Sequence, residues 1–244
     1  MRYAAALVLL VFAAGDASAA YNPAAECRDA VRKTQSENSW RRVKKHFAAA
    51  VTPCTKAAEQ GDHEAQTWLG YMYANGFGFP EDDAKAMEWY TKAAEQDPVE
   101  VHFILGSMHE SGRGFPQDDA KAMEWYTKAA EQGRRQAQYR LGKMLYAAGT
   151  GVPEDYVQAY KWVVLALMGT QQLVGHGAFA PRTWLYGHQD ARYAHPDARG
   201  FVPVKRTMRL RKRLQRKMTA EQVVEAHRLV REWFEEFKAK QDGD

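Results

Sequence analysis

A short phrase that returns at a fixed interval constrains this chain more than any other feature. Lys56-Ala57-Ala58-Glu59-Gln60 recurs as Lys92-Ala93-Ala94-Glu95-Gln96 and as Lys128-Ala129-Ala130-Glu131-Gln132, 36 residues apart each time. Leu69-Gly70 returns as Leu105-Gly106 and Leu141-Gly142 at the same interval, and Asp82 to Tyr90 returns unchanged as Asp118 to Tyr126. The third copy carries one extra residue before Gly149, so Trp89 and Trp125 are followed by Trp162. A period of this size marks units too small to bury their own apolar faces, which become stable by stacking on neighbours.

Each unit reads as two helices. In the first copy Ala65, Leu69 and Met72 share one helical face over roughly Glu64 to Ala74. Asp62 is placed to cap that helix by accepting backbone N–H bonds. Asn75-Gly76-Phe77-Gly78 and Pro80 end it, and Glu81-Asp82-Asp83 put negative charge at the positive end of the next helix. That second helix turns Ala86, Tyr90, Ala93 and Ala94 towards its neighbours and ends near Gln96. Gly61 and Gly133 close two of the unit junctions, whereas Asp97-Pro98 occupies the middle one and predicts a different turn there. A glycine inside a helix costs about 1 kcal/mol against alanine. Gly70, Gly106 and Gly142 in register therefore predict helices too close for a side chain, with Trp89, Trp125 and Trp162 filling the space between units.

The order A-x-x-W-Y-x-K-A-A-E-Q-G, A-Q-x-x-L-G-x-M-Y, G-x-G-x-P resembles the Sel1-like repeat, a relative of the tetratricopeptide repeat. Ala86, Trp89, Tyr90, Lys92, Ala93, Ala94, Glu95 and Gln96 carry it, with Ala65, Gln66, Leu69, Gly70, Met72, Tyr73, Gly76, Gly78 and Pro80. The second copy departs at Val101-His102 and His109, and the third at Val163. The resemblance covers residues 50 to 168, about half of the 244-residue chain. It implies an all-α protein, a right-handed α/α solenoid whose concave face binds other proteins. Bacterial members that carry signal peptides are often envelope adaptors or regulators, so the resemblance implies another envelope protein as partner.

The flanks divide the rest. Arg2, the apolar run from Ala4 to Ala14 and the small-residue pattern Ala17-Ser18-Ala19 read as a cleavable signal peptide over residues 1–19. The run is too short for a membrane span, which needs about 20 apolar residues. Cys27 lies too far from it for a lipobox. This predicts a secreted or periplasmic protein. Residues 20–55 read as N-terminal capping helices, with one helix from Trp40 through Val51 and Cys54 at its end. In an oxidising compartment two cysteines suggest a Cys27–Cys54 disulfide, the alternative being two buried thiols. The repeat array occupies 56–169. Residues 170–204 form an insertion rich in Gly, Pro and aromatic residues, among them Trp184, Tyr186 and Tyr193. Such a segment is either a loose loop or a partner-contacting one. Residues 205–244 hold a basic amphipathic helix, with Leu210, Leu214 and Met218 as a narrow apolar seam, and a closing helix opened by a Thr219–Gln222 capping box. The basic helix reads either as a further docked helix with a solvated face or as a contact for an anionic membrane surface or acidic partner.

Nothing in the chain assembles a persuasive catalytic set. His188 and His195 flank Asp190 in the insertion, but their spacing matches no tight metal motif. No G-x-S-x-G, P-loop or H-E-x-x-H occurs, and no motif calls for a cofactor. His102 and His109 replace Gln66 and Tyr73 of the first copy and read as surface or groove variation. A net charge of +4 does not indicate a nucleic-acid binder. The reading is a non-enzymatic binding scaffold. Thr67, Trp68, Tyr71, Phe103, Ile104, Ser107, Tyr139, Arg140 and Lys143 vary between copies on the first helices and are the candidate protein-binding groove. The competing readings are an enzyme or small-ligand binder built on residues 170–204 and a membrane-surface protein acting through residues 205–217.

Overall fold

The computed structural model describes residues 22–35, 40–96, 98–147, 154–172 and 204–242. These form ten helices and, among the described residues, no strand. In chain order they are α1 (Pro23–Gln35), α2 (Trp40–Glu59), α3 (His63–Asn75), α4 (Asp83–Ala94) and α5 (Val99–Ser111). They continue as α6 (Asp119–Glu131), α7 (Arg135–Ala147), α8 (Tyr156–Gln172), α9 (Val204–Lys217) and α10 (Ala220–Asp242). The signal-peptide segment, Gly149 and most of the aromatic insertion lie outside the described residues.

Helices pair as α1/α2, α3/α4, α5/α6 and α7/α8, and each pair stacks on the next. The aspartate caps hold: Asp62, Asp82 and Asp118 accept from the backbone N–H of Ala65, Lys85 and Lys121 at 2.8, 2.9 and 2.9 Å. α3 and α5 end on Gly76 and Gly112, whose φ of 64° and 68° admit glycine without strain. The middle junction departs as its sequence predicts. α4 ends on Glu95 in right-handed geometry, and Pro98 opens α5 with no side-chain cap.

The repeated glycines mark contact points between the two helices of each pair. A Cβ on Gly70 would lie 2.6 Å from the Tyr90 ring, and one on Gly106 would lie 2.6 Å from the Tyr126 ring. In the third pair Val163 replaces the tyrosine, and a Cβ on Gly142 would meet its methyl group at 2.6 Å. Leu69, Leu105 and Leu141 recur as buried core residues. Burying each such side chain stabilises by about 1.5–3 kcal/mol. Trp125 packs back onto the core made by α3, α4 and α5, and Trp89 onto the core of α1 to α3. The tryptophans thus tie a unit to its predecessor.

The N-terminal pair is joined by a disulfide between Cys27 and Cys54, whose Cα atoms are 4.6 Å apart. α2 does not stop near Val51 as expected. It continues through Pro53 to Glu59, so Lys56-Ala57-Ala58 forms its last turns. The same phrase ends α4 and α6, which makes α1/α2 a diverged helix pair in the register of the repeats.

At the other end, α9 lies antiparallel to α8, with Gln215 reaching the Tyr160 hydroxyl and Lys217 the Tyr156 hydroxyl at 2.9 and 2.7 Å. Thr207, Leu210 and Leu214 are its buried stripe. The Thr219 amide donates to the Gln222 side chain and the Gln222 amide to the Thr219 hydroxyl, the reciprocal pair expected of a capping box. α10 then packs along α8, with His227 against Tyr160 and Phe237 against Gly133. The two closing helices flank α8 instead of pairing closely with each other.

Candidate functional site

The first helices α3, α5 and α7 are neighbours through the array. Arg140 on α7 pairs with Glu110 on α5 at 3.0 Å, and Arg113 after α5 donates to the Ala74 carbonyl at the end of α3 at 3.4 Å. Their equivalent positions form rows. One row is Thr67, Phe103 and Tyr139, another Trp68, Ile104 and Arg140, and a third Tyr71, Ser107 and Lys143.

At the N-terminal end the row residues join an aromatic group. Trp68 and Tyr71 have ring centroids 6.2 and 5.7 Å from Phe47 of α2, and Tyr71 lies 5.7 Å from Phe77. Burial pushes the Tyr71 hydroxyl up to about 12, so it stays a neutral donor at any physiological pH. Thr67 turns its hydroxyl back to the His63 carbonyl at 2.8 Å. Ile104, Ser107 and Tyr139 are half-buried, and Lys143 is exposed.

Two groove candidates sit inside the packing. Phe103 is 5% exposed because its ring packs 5.6 Å from Tyr126, with the Arg134 guanidinium 5.5 Å away on another side. Arg140 is 2% exposed, and its charge is matched by Glu110, which also accepts from the Tyr126 hydroxyl at 2.7 Å. Burial first, and the Glu110 charge second, raise the Tyr126 hydroxyl well above its ordinary range. These two side chains serve the junction between units and are not offered to a ligand. Of the other candidates, Thr67, Trp68, Tyr71, Ile104, Ser107 and Tyr139 are half-buried and Lys143 is exposed.

His102 and His109 are a correction of the same kind. Both are buried, not surface residues. Gln66 and Gln138 at the position of His102 send their amides to the Ala58 and Ala130 carbonyls at 3.1 Å, whereas the His102 ring stacks on Trp125 at 5.5 Å. His109 packs against Phe115 at 4.4 Å, and burial holds its imidazole below the usual range.

Beside Arg140–Glu110, further cross-unit ion pairs were not foreseen from the sequence. Arg113 grips Asp83 with two bonds of 2.5 and 3.2 Å, Arg134 pairs with Glu100 at 3.0 Å, and Arg28 with Asp62 at 3.5 Å. The signal for Arg113 was its place in the G-x-G turn, where the first copy has Phe77 stacked 4.9 Å from Phe47 of the preceding pair. Both residues reach backwards from the same turn.

Among the described residues no group of three or more His, Cys, Asp or Glu is placed to hold a metal, and no helix is long and apolar enough to cross a membrane. His188, Asp190 and His195 lie outside them.

Residues 63–98, 99–133 and 135–168 each match the Sel1 repeat. The chain carries three Sel1 repeats. They coincide with the pairs α3/α4, α5/α6 and α7/α8. Among solved structures the chain is similar to a Sel1 repeat protein from Oxalobacter formigenes, with 32% identity and a TM-score of 0.48 over 52% of this chain and 51% of that one. It is also similar to a protective antigen of uropathogenic Escherichia coli strains that displays an SLR fold. That match has 23% identity and a TM-score of 0.43 over 90% of this chain and 47% of that one. The chain thus spans about half the length of these two proteins. No curated protein sequence matches it. Sel1 repeats generally mediate protein–protein interactions and are not typically enzymatic.

Proposed function

We propose that this Sel1-repeat chain is an exported scaffold that holds another protein of the cell envelope on the first-helix face of its repeats. The observation that carries this is the contrast between positions. The contacts that build each unit recur, whereas the accessible row positions change chemistry from aromatic at Trp68 and Tyr71 to Ile104 and Ser107, then to Tyr139 and Lys143. Trp68, Tyr71 and Tyr139 are half-buried against the cores, and rigid aromatic anchors of this kind are favoured at interfaces. The Cys27–Cys54 disulfide supports export, because such bonds persist in oxidising compartments.

Crosslinked capture from envelope extract tests this reading. The full chain is compared with a variant carrying Trp68→Ala, Ile104→Ala and Tyr139→Ala, and with one lacking residues 171–203. A partner retained by the deletion and lost by the triple variant is expected. A partner lost only by the deletion would move the site to the insertion and refute the first-helix face. Fractionation tests export: a chain that stays in the cytoplasm at full mass refutes it.

A further inference from the structure

We infer that the outward face of α9 docks the array on an anionic phospholipid surface, a contact beyond the protein-binding face of the repeats. α9 packs on α8 through Thr207, Leu210 and Leu214, and it contains no acidic residue. On the opposite side Lys205, Arg206, Arg209, Lys212, Arg213 and Arg216 are all exposed. At 3.6 residues per turn these six fall within about a third of the helix circumference, along roughly 17 Å of its length. Among the described residues none of the six makes an ion pair; the one ion pair of this helix, Lys217 with Glu154 at 3.6 Å, lies at its last turn.

Among the described residues, α10 does not pack over this face. In each repeat the second helix lies along the first, but α10 packs along α8, and among the described residues α9 packs mainly on α8. The charged face is therefore a ridge on a single helix, suited to several headgroup phosphates lying in one plane.

Apolar groups at the same end favour lipid over other anions. Met208 is 48% exposed, with Lys205 and Lys212 one turn to either side of it. Met168, 41% exposed, lies towards the C-terminal end of α8, which the antiparallel packing brings to the same end as Met208. A thioether among ammonium groups gains from the headgroup–acyl boundary and gains nothing from free phosphate or a nucleic-acid backbone.

The test is co-sedimentation of the full chain with vesicles of phosphatidylglycerol and phosphatidylcholine in equal parts, beside vesicles of phosphatidylcholine alone. Each cation near an anionic surface contributes about fivefold to partitioning at low salt. Replacing Arg206, Arg209, Lys212 and Arg213 by glutamine is therefore expected to weaken binding to the anionic vesicles by about a hundredfold or more. All four are exposed, so the thermal melt should not move. Met208→Ser should weaken binding by a smaller factor that salt does not change. Three results would overturn the inference: equal binding to both vesicle types, anionic binding untouched by the fourfold change, or duplex DNA or inorganic phosphate displacing the chain from vesicles at matched charge. A salt-sensitive dimer of the wild-type chain that the fourfold change abolishes, with no vesicle binding, would assign the face to a second copy and overturn it as well.

Discussion

Gly106→Ala tests whether the repeat glycines are contact points. The new Cβ would lie 2.6, 2.7 and 3.0 Å from Cδ1, Cε1 and Cγ of Tyr126. That ring has no accessible surface, and its hydroxyl is anchored on Glu110 at 2.7 Å, so it cannot swing aside. Forcing a methyl group into such a site costs about 1–3 kcal/mol. Alanine recovers about 1 kcal/mol of helix preference over glycine. The expected net result is a loss of roughly 0–2 kcal/mol, although the substitution improves the helix taken alone. A double-mutant cycle makes the reasoning sharper. Tyr126→Ala opens the space at a cost of about 3–5 kcal/mol. In that background Gly106→Ala meets no ring and should stabilise by about 1 kcal/mol. The sign reverses, with a coupling of about 1–3 kcal/mol. Urea unfolding followed by far-ultraviolet circular dichroism reads all four corners of the cycle. Additivity within about 0.5 kcal/mol would refute the contact, and so would a stabilising Gly106→Ala in the wild-type background.

Three further outcomes follow from named contacts. Replacing Cys27 and Cys54 together by serine should cost about 3.5 kcal/mol from the chain entropy of the closed loop, given their sequence separation of 27; an unchanged denaturation midpoint would refute a stabilising bond. His109 is held neutral by burial and by Lys121, against the opposing pull of Asp118 and Glu124. The unfolded chain therefore takes up more protons as pH falls through 6.5. Stability should decline below that value, and His109→Tyr, the residue of the first copy, should flatten the slope; parallel pH profiles for the two chains would rule this out. Arg113→Ala removes two bonds to Asp83 from a site where both side chains are about one quarter exposed. A loss of about 1.5–3 kcal/mol is expected for a charged pair of this kind, and a thermal melt that does not shift would show the pair to be inert.

The helix pairs were legible in the sequence because each was specified several times over. Cap aspartate, closing glycine, leucine face and small residue agreed within a unit, and the agreement recurred. The disulfide was legible from the cysteine count and the expected compartment. The extension of α2 was not: a proline inside a helix removes a backbone donor, yet the helix carries through Pro53. Which first-helix positions are buried was legible only in part, for a geometric reason. A first helix in this array touches its own second helix, the second helix of the preceding unit and the first helices on either side. Helical phase identifies the arc facing the pair partner, but it leaves the borders between arcs undecided. Phe103 and His102 lie under Tyr126 and Trp125 of their own second helix, Arg140 pairs with Glu110 of the preceding unit, and His109 packs on Phe115 in the turn.

The departures between copies are consequently not noise on a repeat. Contacts within a pair recur, as with glycine under tyrosine in the first two repeats and Lys92 over Trp89 matched by Lys128 over Trp125 at 4.2 and 4.4 Å. Some contacts between units also recur, as with Trp89 and Trp125 on the preceding core, but others do not. Phe77 meets Phe47, Arg113 meets Asp83, and Arg140 meets Glu110, each at one junction only. The shared residues specify a unit, and the unshared ones specify which unit follows which. If the third repeat followed the first directly, Arg140 would meet Ala74, the residue at the position of Glu110, and would lose its carboxylate in a site that leaves it 2% exposed. Removing the carboxylate from a buried ion pair costs about 3–5 kcal/mol, enough to disfavour that order. The order of the units in turn sets the order of side chains along the accessible rows, so the same substitutions that fix the stacking also fix the chemistry that a partner would meet.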